Sequence, residues 1–237
     1  MSESRKLRAI VPVGPFPQAK RRLAPCLTPP ERNAFARAML EDVLSALLRA
    51  PSLDGIVVIT SDADAASLAH AAGASVLADP QNAGINAAVE SAARHLVHEG
   101  RCGMLVIPAD VPLITAEDIE AIVTAHRAAP SVTLVRAGMD GGTNALACSP
   151  PDVMAFRFGE DSFRRHQESA RSCGIEPQVL ELARIERDID RPEDLAAFLA
   201  RPSETHSHAC LRMNGIAERL LCAAATKHET RIDRVAQ

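Results

Sequence analysis

The chain has 237 residues, of which 47% are hydrophobic and 24% charged, and this is enough to build one α/β domain without disulfide bonds. The formal net charge is −4, and there is no Trp, no Tyr and only six Phe. This composition argues against nucleic-acid binding, which needs a basic surface or aromatic stacking platforms. No apolar run has membrane-spanning length, and the six Cys lack C-x-x-C pairing, which is typical of a reduced, cytoplasmic protein.

Short apolar runs alternate with helix-period patterns along most of the chain. The runs predict strands at residues 7–13, 56–60, 74–78, 104–107, 131–137 and 178–182. Capping signals predict helices that begin near residues 28, 62, 86, 115, 162 and 190. Continuously apolar strands separated by helices are typical of an α/β fold with a mostly parallel sheet flanked by helices. We assign residues 1–200 to this single domain.

The C-terminal region has a different composition. Residues 201–208 are polar and predict a linker, so His206, His208 and Cys210 are interpreted as solvated rather than as metal ligands. An amphipathic segment from Leu211 to Ala225 follows, then a charged tail. Its apolar face predicts docking on the domain or on a second subunit of a homodimer.

Asp110 is the first candidate site residue. It follows the strand predicted at 104–107, between Pro108 and Pro112. Open α/β sheets bind ligands at the carboxyl ends of their strands, so Asp110 is favoured as a metal or phosphate-site residue over a simple turn aspartate.

Asp188 and Asp190 form a second acidic pair around Ile189. In an extended segment both carboxylates lie on one face while Ile189 points to the core. Two carboxylates on one face suit a hard divalent cation. Asp190 has an alternative role as an N-cap, since Asp190-Arg191-Pro192-Glu193 is itself a helix start.

Three adjacent cations, Lys20, Arg21 and Arg22, occupy the loop after the first strand. Such a loop can hold a nucleotide triphosphate. A solvated basic turn is the alternative interpretation.

Polar loop segments supply further candidates. Gly84 allows close backbone approach to a ligand and Asn86 can read a base edge, although a simple helix entry explains both. Gly141-Gly142-Thr143-Asn144 can cradle a phosphate, or Asp140-Gly141-Gly142 can form a hairpin turn. Ser162 can bind an anion at a helix N-terminus or simply cap the helix.

Taken together, these motifs resemble the 2-phospho-L-lactate guanylyltransferase family, which includes phosphoenolpyruvate guanylyltransferases and works in coenzyme F(420) biosynthesis. The resemblance runs from about Leu7 to Leu199. Its motifs are Val-Pro-Val at 11–13 with Ala-Lys-x-Arg-Leu at 19–23, Thr-Ser-Asp at 60–62, Asp-Pro-x-x-x-Gly-x-Asn at 79–86, Pro-Ala-Asp-x-Pro-Leu at 108–113, Asp-Gly-Gly-Thr-Asn-Ala-Leu at 140–146, Phe-Arg-Phe-Gly at 156–159 with Ser-Phe at 162–163, and Asp-Ile-Asp at 188–190.

The resemblance implies a GT-A-type nucleotidyltransferase that uses Mg²⁺, with GTP and a phosphorylated three-carbon acid as substrates. By the same resemblance, Asp110, Asp188 and Asp190 bind the metal ion. Lys20 and Arg22 hold the triphosphate, and Gly84 and Asn86 face guanine. The acceptor is held by Thr143, Asn144, Gly159 and Ser162.

Two departures from the family pattern concern the triphosphate loop. Gly14 stands where family members usually carry Lys, and Arg21 stands where Ser is usual. Two other functions remain open at this point. One is a related transferase, such as a molybdopterin guanylyltransferase or a sugar-nucleotide synthase, although their usual Gly-x-Gly-x-Arg loop is missing after the first strand. The other is a non-catalytic nucleotide-binding protein.

Overall fold

Strands and helices alternate along most of the computed structural model, which describes residues 6–79, 81–138, 141–213 and 215–220. The strands are Leu7–Val13 (β1), Leu53–Thr60 (β2), Ser75–Ala78 (β3), Met104–Val106 (β4), Ser131–Arg136 (β5), Thr143–Ser149 (β6) and Gln178–Leu180 (β7). The α-helices are Pro29–Leu48 (α1), Ala63–Ala71 (α2), Ile85–His98 (α3), Ala116–Ala125 (α4), Ser162–Ser172 (α5), Pro192–Leu199 (α6) and His206–Met213 (α7). No helix among these residues is long and apolar enough to cross a membrane.

The strands form one sheet in the order β3-β2-β1-β4-β6-β5-β7. The pairs β1–β2, β2–β3, β1–β4 and β5–β7 are parallel, and only β6 runs antiparallel to its neighbours. The predicted mostly parallel sheet is therefore confirmed. Chain order reverses between β1 and β4, which creates the switch point where sheets of this kind bind ligands.

Both faces of the sheet are covered by helices. Within β1, Ala9 and Val11 pack into one core cluster and Ile10 into the other, as the two-residue period of a strand requires. Helices α1, α2, α4, α6 and α7 contribute to the first cluster, and α3 and α5 contribute to the second. Burial on both faces explains why the strands read as continuous apolar runs.

Strand β6 begins directly after the two glycines, at Thr143. Strands β5 and β6 pair antiparallel on either side of this segment, and the Ala137 N–H donates to the Gly142 carbonyl at 2.9 Å. Asp140 itself lies outside the described residues. Thr143 and Asn144 consequently begin a core strand, and each is only 6% exposed.

Helix α7 changes the interpretation of the C-terminal region. It begins at His206, inside the segment predicted as a linker. The prediction that His208 is solvated is wrong, since the side chain is 2% exposed and contacts the Phe198 ring edge-on at 5.6 Å between centroids. The amphipathic segment docks on the domain through Leu211, which belongs to the same core cluster as α1. Its remainder, from Leu221 on, lies outside the described residues.

Asp42 on α1 anchors the start of α7. Its carboxylate accepts hydrogen bonds from the main-chain N–H groups of His206 (2.7 Å) and Ser207 (2.9 Å). Burial raises the pKa of the Asp42 carboxyl, which the hydrogen bonds from Ser207 and His206 partly oppose. The boundary at residue 200 stays a prediction, but the hydrophobic core continues across it.

Candidate active site

A cavity of about 460 Å³ opens at the carboxyl edge of the sheet, beside the β1–β4 switch point. Three parts of the chain form its walls: the loop after β1, the segment that enters α3, and the turn after β4. Of the predicted site residues, the cavity is lined by Lys20, Gly84, Asp110 and Asp190.

Three carboxylates meet beside this cavity. Each of Asp110, Asp188 and Asp190 offers an oxygen, and these oxygens all lie within 4.8 Å of one another. The Ile189 N–H donates to the Asp110 carbonyl at 3.1 Å, and the Ile189 side chain is buried in the core. This pairing brings the Asp-Ile-Asp segment to the end of β4. We call these three residues the acidic triad.

Asp190 does not cap helix α6. The N-cap residue is Arg191, and the Asp194 carboxylate accepts hydrogen bonds from the main-chain N–H groups of both Asp190 and Arg191. The Asp190 side chain faces the cations instead, with Lys20 Nζ at 2.7 Å and Arg22 at 3.4 Å. The capping interpretation of Asp190 is therefore wrong.

Lys20 links two members of the triad. Its Nζ atom donates to Asp110 at 2.8 Å and to Asp190 at 2.7 Å, and its side chain is 8% exposed. Burial lowers the pKa of Lys20, but the charges of Asp110 and Asp190 more than offset burial and leave the pKa raised. Lys20 is thus a buried, fixed cation at the triad, whereas the Arg22 side chain is 65% exposed.

The pKa values of Asp188 and Asp190 are shifted in opposite directions. Burial, with the charge of Asp110, raises the pKa of Asp188 to about 6, against a hydrogen bond from Asn144. Burial also acts to raise the pKa of Asp190, but the charge and hydrogen bond of Lys20 lower it overall. The ionised form of Asp190 is therefore stabilised by Lys20, whereas that of Asp188 is disfavoured by burial and by Asp110. Among the described residues, the triad is the only acidic, His or Cys group arranged to hold a metal ion, and its oxygens suit a divalent cation.

The segment that enters α3 forms another wall of the cavity. Gly84 has φ +94°, which only glycine adopts without strain, and it is the N-cap of α3. Asp79, Asn82 and Ile85 line the cavity beside it. Asn86 does not line the cavity, because its side-chain amide is hydrogen-bonded to the main chain of Phe158.

None of the predicted acceptor residues is among the residues that line the cavity. Thr143 Oγ1 lies 3.3 Å from Ser162 Oγ, and Asn144 Nδ2 donates to Asp188 at 3.0 Å. Gly159 has φ +117° and shapes the turn that leads into α5. Of these residues, Asn144 contacts the triad directly, through Asp188.

The sequence assigned no role to the side chains of two residues, although Asp79 opens the motif at 79–86. Asp79 follows the carboxyl end of β3 as Asp110 follows β4, so the same positional rule would have indicated it. His166 is fully buried and bonded to Thr143 at 2.9 Å. Its only signal was a position one helical turn after Ser162, which does not distinguish it from other polar residues of α5.

Comparison with known proteins identifies the family. The chain matches the family described as "Guanylyl transferase CofC like" over residues 7–232. The chain belongs to this family. The match extends well beyond Leu199, where the sequence motifs ended, so it includes the region that contains α7. The activity for which this family is named is guanylyl transfer.

Relatives in this family are named for different acceptors. The chain is 39% identical to a phosphoenolpyruvate guanylyltransferase of Roseiflexus sp. (strain RS-1), covering 87% of this chain and 91% of the relative. It is 34% identical to a 2-phospho-L-lactate guanylyltransferase of Methanothermobacter thermautotrophicus, over 87% and 90%. It is 35% identical to a 3-phospho-D-glycerate guanylyltransferase of Colwellia psychrerythraea, over 81% and 92%.

Solved structures support the fold. The chain superimposes on a putative nucleotide-diphospho-sugar transferase from Desulfovibrio desulfuricans G20 with a TM-score of 0.73, over 93% of this chain and 99% of that one. The sequence identity is 20%, so this similarity concerns the fold alone. The predicted α/β fold, with a mostly parallel sheet flanked by helices, is confirmed.

Proposed function

We propose that this enzyme transfers GMP from GTP to the phosphate of a small phosphorylated three-carbon acid and releases pyrophosphate. The observation that carries the proposal is the acidic triad with Lys20, which borders the cavity and contacts Asn144, the residue next to Thr143. The cavity offers room for a nucleotide, and the Thr143–Ser162 pair offers hydroxyl groups for a second anion. The family match over residues 7–232 supports guanylyl transfer.

The reaction requires charge neutralisation more than proton transfer. An oxygen of the acceptor phosphate attacks the α-phosphorus of GTP, the bond to the β-phosphate breaks, and pyrophosphate leaves with the electron pair. A phosphate is already anionic at neutral pH, so no general base is required. Asp110, Asp188 and Asp190 would hold Mg²⁺, which when bound neutralises phosphate oxygens.

The cations of the loop after β1 are assigned to the triphosphate. Lys20 would bind the phosphates closest to the triad, and the exposed Arg22 would reach those further out. Gly14 lines the cavity, and an added Cβ there would meet no heavy atom within 4 Å. Gly14 supplies no cation at a position where family members usually carry Lys, and the space beside its Cα is open.

We assign the part of the cavity that is lined by Asp79 and Gly84 to the guanine base. Gly84 allows the close approach, and Asp79 supplies a carboxylate that can accept from guanine N1–H and N2–H. Asp79 Oδ1 takes one hydrogen bond, from the Asn82 N–H at 3.2 Å. β3 and β4 are three strand spacings apart, about 14 Å, which leaves room for a nucleoside between Asp79 and the triad.

Asp79→Asn is expected to lower kcat/KM for GTP by about tenfold to a hundredfold, because the amide would direct a donor at the donor edge of guanine. The KM for the phosphorylated acid should not change. Steady-state kinetics measure both values. Asp64→Asn, which alters an exposed carboxyl of α2, is the matched control. An unchanged kcat/KM for GTP in Asp79→Asn would remove Asp79 from base recognition.

Thr143, Asn144, Gly159 and Ser162 are assigned to the acceptor. Hydroxyl and main-chain N–H donors suit a ligand that carries both a phosphate and a carboxylate. Phosphoenolpyruvate and 2-phospho-L-lactate are the first candidates, and 3-phosphoglycerate is the third. A pocket separates substrates this similar by only about 1–3 kcal/mol unless a dedicated polar group is present.

Pyrophosphate release tests the proposal directly. The protein is mixed with Mg²⁺, GTP and each of the three acids in turn, and the assay is repeated with ATP and CTP. We expect pyrophosphate with GTP and at least one acid. Release with none of them would contradict the proposal, and a preference for CTP or ATP would favour a different nucleotidyltransferase. A cytoplasmic location and a homodimer stay predictions.

A further inference from the structure

The side chain of Asn86 is bound to a main-chain segment on the acceptor side. Its Nδ2 donates to the Phe158 carbonyl at 3.1 Å, and its Oδ1 accepts from the Phe158 N–H at 2.7 Å. The nitrogen and the oxygen of the Asn86 amide are therefore both hydrogen-bonded to the main chain of Phe158. Asn86 lies at the start of α3, two residues after Gly84, so this contact joins the nucleotide side of the site to the acceptor side.

His166 holds the neighbouring residue of the same segment. Its Nε2 accepts from the Arg157 N–H at 2.9 Å, which requires the ring hydrogen to be on Nδ1. Nδ1–H then donates to Thr143 Oγ1 at 2.9 Å. The ring is fully buried and lies edge-on to Phe158 with 4.7 Å between centroids. Burial, with the charge of Arg165, lowers the pKa of His166 to about 4, so the ring is neutral at physiological pH.

The segment held in this way leads directly into the predicted acceptor turn. Gly159 follows Phe158, and its carbonyl accepts from the Ser162 N–H at 3.1 Å. Ser162 Oγ donates to the Thr143 oxygen that also accepts from His166. Thr143 Oγ1 therefore accepts two hydrogen bonds, which leaves its own O–H free to donate to a ligand.

We propose that Asn86 is a positioning residue for the acceptor, and that Asn86 and His166 together hold the main chain of residues 157–158 so that Gly159 and Thr143 present their donors, with Ser162 orienting the Thr143 hydroxyl. This rests on the proposed function for the identity of the ligand. It replaces the guanine role expected for Asn86, whose amide is already engaged. The two roles make opposite kinetic predictions.

Asn86→Asp is the most direct variant. It keeps the acceptor for the Phe158 N–H but sets a carboxylate oxygen against the Phe158 carbonyl. We expect the KM for the phosphorylated acid to rise about tenfold or more, while the KM for GTP and the preference for GTP over ATP stay within about twofold. His166→Gln, which removes the donor to Thr143, should raise the same KM. Calorimetric binding of GTP shows that each variant is folded.

We call the hold of Asn86 and His166 on residues 157–158 the clamp. Limited trypsin digestion tests the clamp without measuring turnover. Arg157 is exposed and immediately precedes Phe158, so cleavage after Arg157 reports opening of this segment. Asn86→Asp should be cut there about tenfold faster than the wild type, with no change at Arg127, an exposed arginine after α4. If wild type lacks turnover but the cleavage difference appears, the proposed function fails while the clamp stands.

Two results would overturn the positioning role. One is a raised KM for GTP or a lost preference for GTP over ATP with an unchanged KM for the acid, which would return Asn86 to guanine recognition. The other is wild-type kinetics together with wild-type cleavage at Arg157, which would mean that the clamp does not hold the segment.

Discussion

Asp110→Asn is expected to lower kcat by about 10²–10³, because it removes a charge from the site where negative charge must be neutralised, a loss of about 3–4 kcal/mol. The substitution changes little volume, and Asp110 is only half-buried, so the fold should persist. The measurement is the rate of pyrophosphate release at saturating GTP, acceptor and Mg²⁺. A melting curve close to that of the wild type would show that the variant is folded.

Two further variants are compared with Asp110→Asn. Asp188→Asn should lose activity similarly, because Asp188 shares the same group of oxygens. Asp152→Asn, at an exposed turn residue, is the matched control and should be fully active. Wild-type turnover in a folded Asp110→Asn protein would exclude the triad as the metal site.

Leu211→Ala is expected to lower the free energy of unfolding by about 2–5 kcal/mol, the usual range for a buried Leu that is truncated in a packed core. Leu211 is fully buried and packs in the core cluster that also contains the buried face of α1. Urea denaturation followed by circular dichroism gives the change directly. A loss of this size would show that α7 is part of the folded domain.

Met213→Ala is the control on the same helix. Met213 is 82% exposed, so its truncation should change stability by no more than about 0.5 kcal/mol. Equal, small effects of both substitutions would mean that α7 docks only weakly. In that case the chain up to residue 200 would be the independent unit predicted from composition.

Local signals account for the elements that were predicted correctly. Thr28 and Glu31 form a capping box at α1, and Asp62 caps α2 with hydrogen bonds to two main-chain N–H groups. These interactions join residues three or fewer positions apart, so the sequence displays both partners. Strand β6 was missed because its residues come directly after two glycines, and a hairpin turn and a phosphate loop share that pattern.

The interactions that decide the roles of side chains join distant residues. Lys20 lies 90 positions from Asp110 and 170 from Asp190, and Asn86 lies 72 from Phe158. Asp42 and Ser207 are 165 positions apart, which is why the start of α7 looked like a linker.

The sequence by itself determined the alternation of strands and helices, and the acidic and basic residues placed at strand ends. Periodicity and capping encode these features within a few positions of each residue. Only the tertiary structure decided which partner each polar side chain takes. The order β3-β2-β1-β4-β6-β5-β7 brings the ends of β1 and β4 together with the Asp-Ile-Asp segment, and it sets α3 against the turn before α5. A polar side chain that becomes buried needs a hydrogen-bond partner. The tertiary fold determines which groups lie close enough to serve, and the local sequence pattern does not predict them.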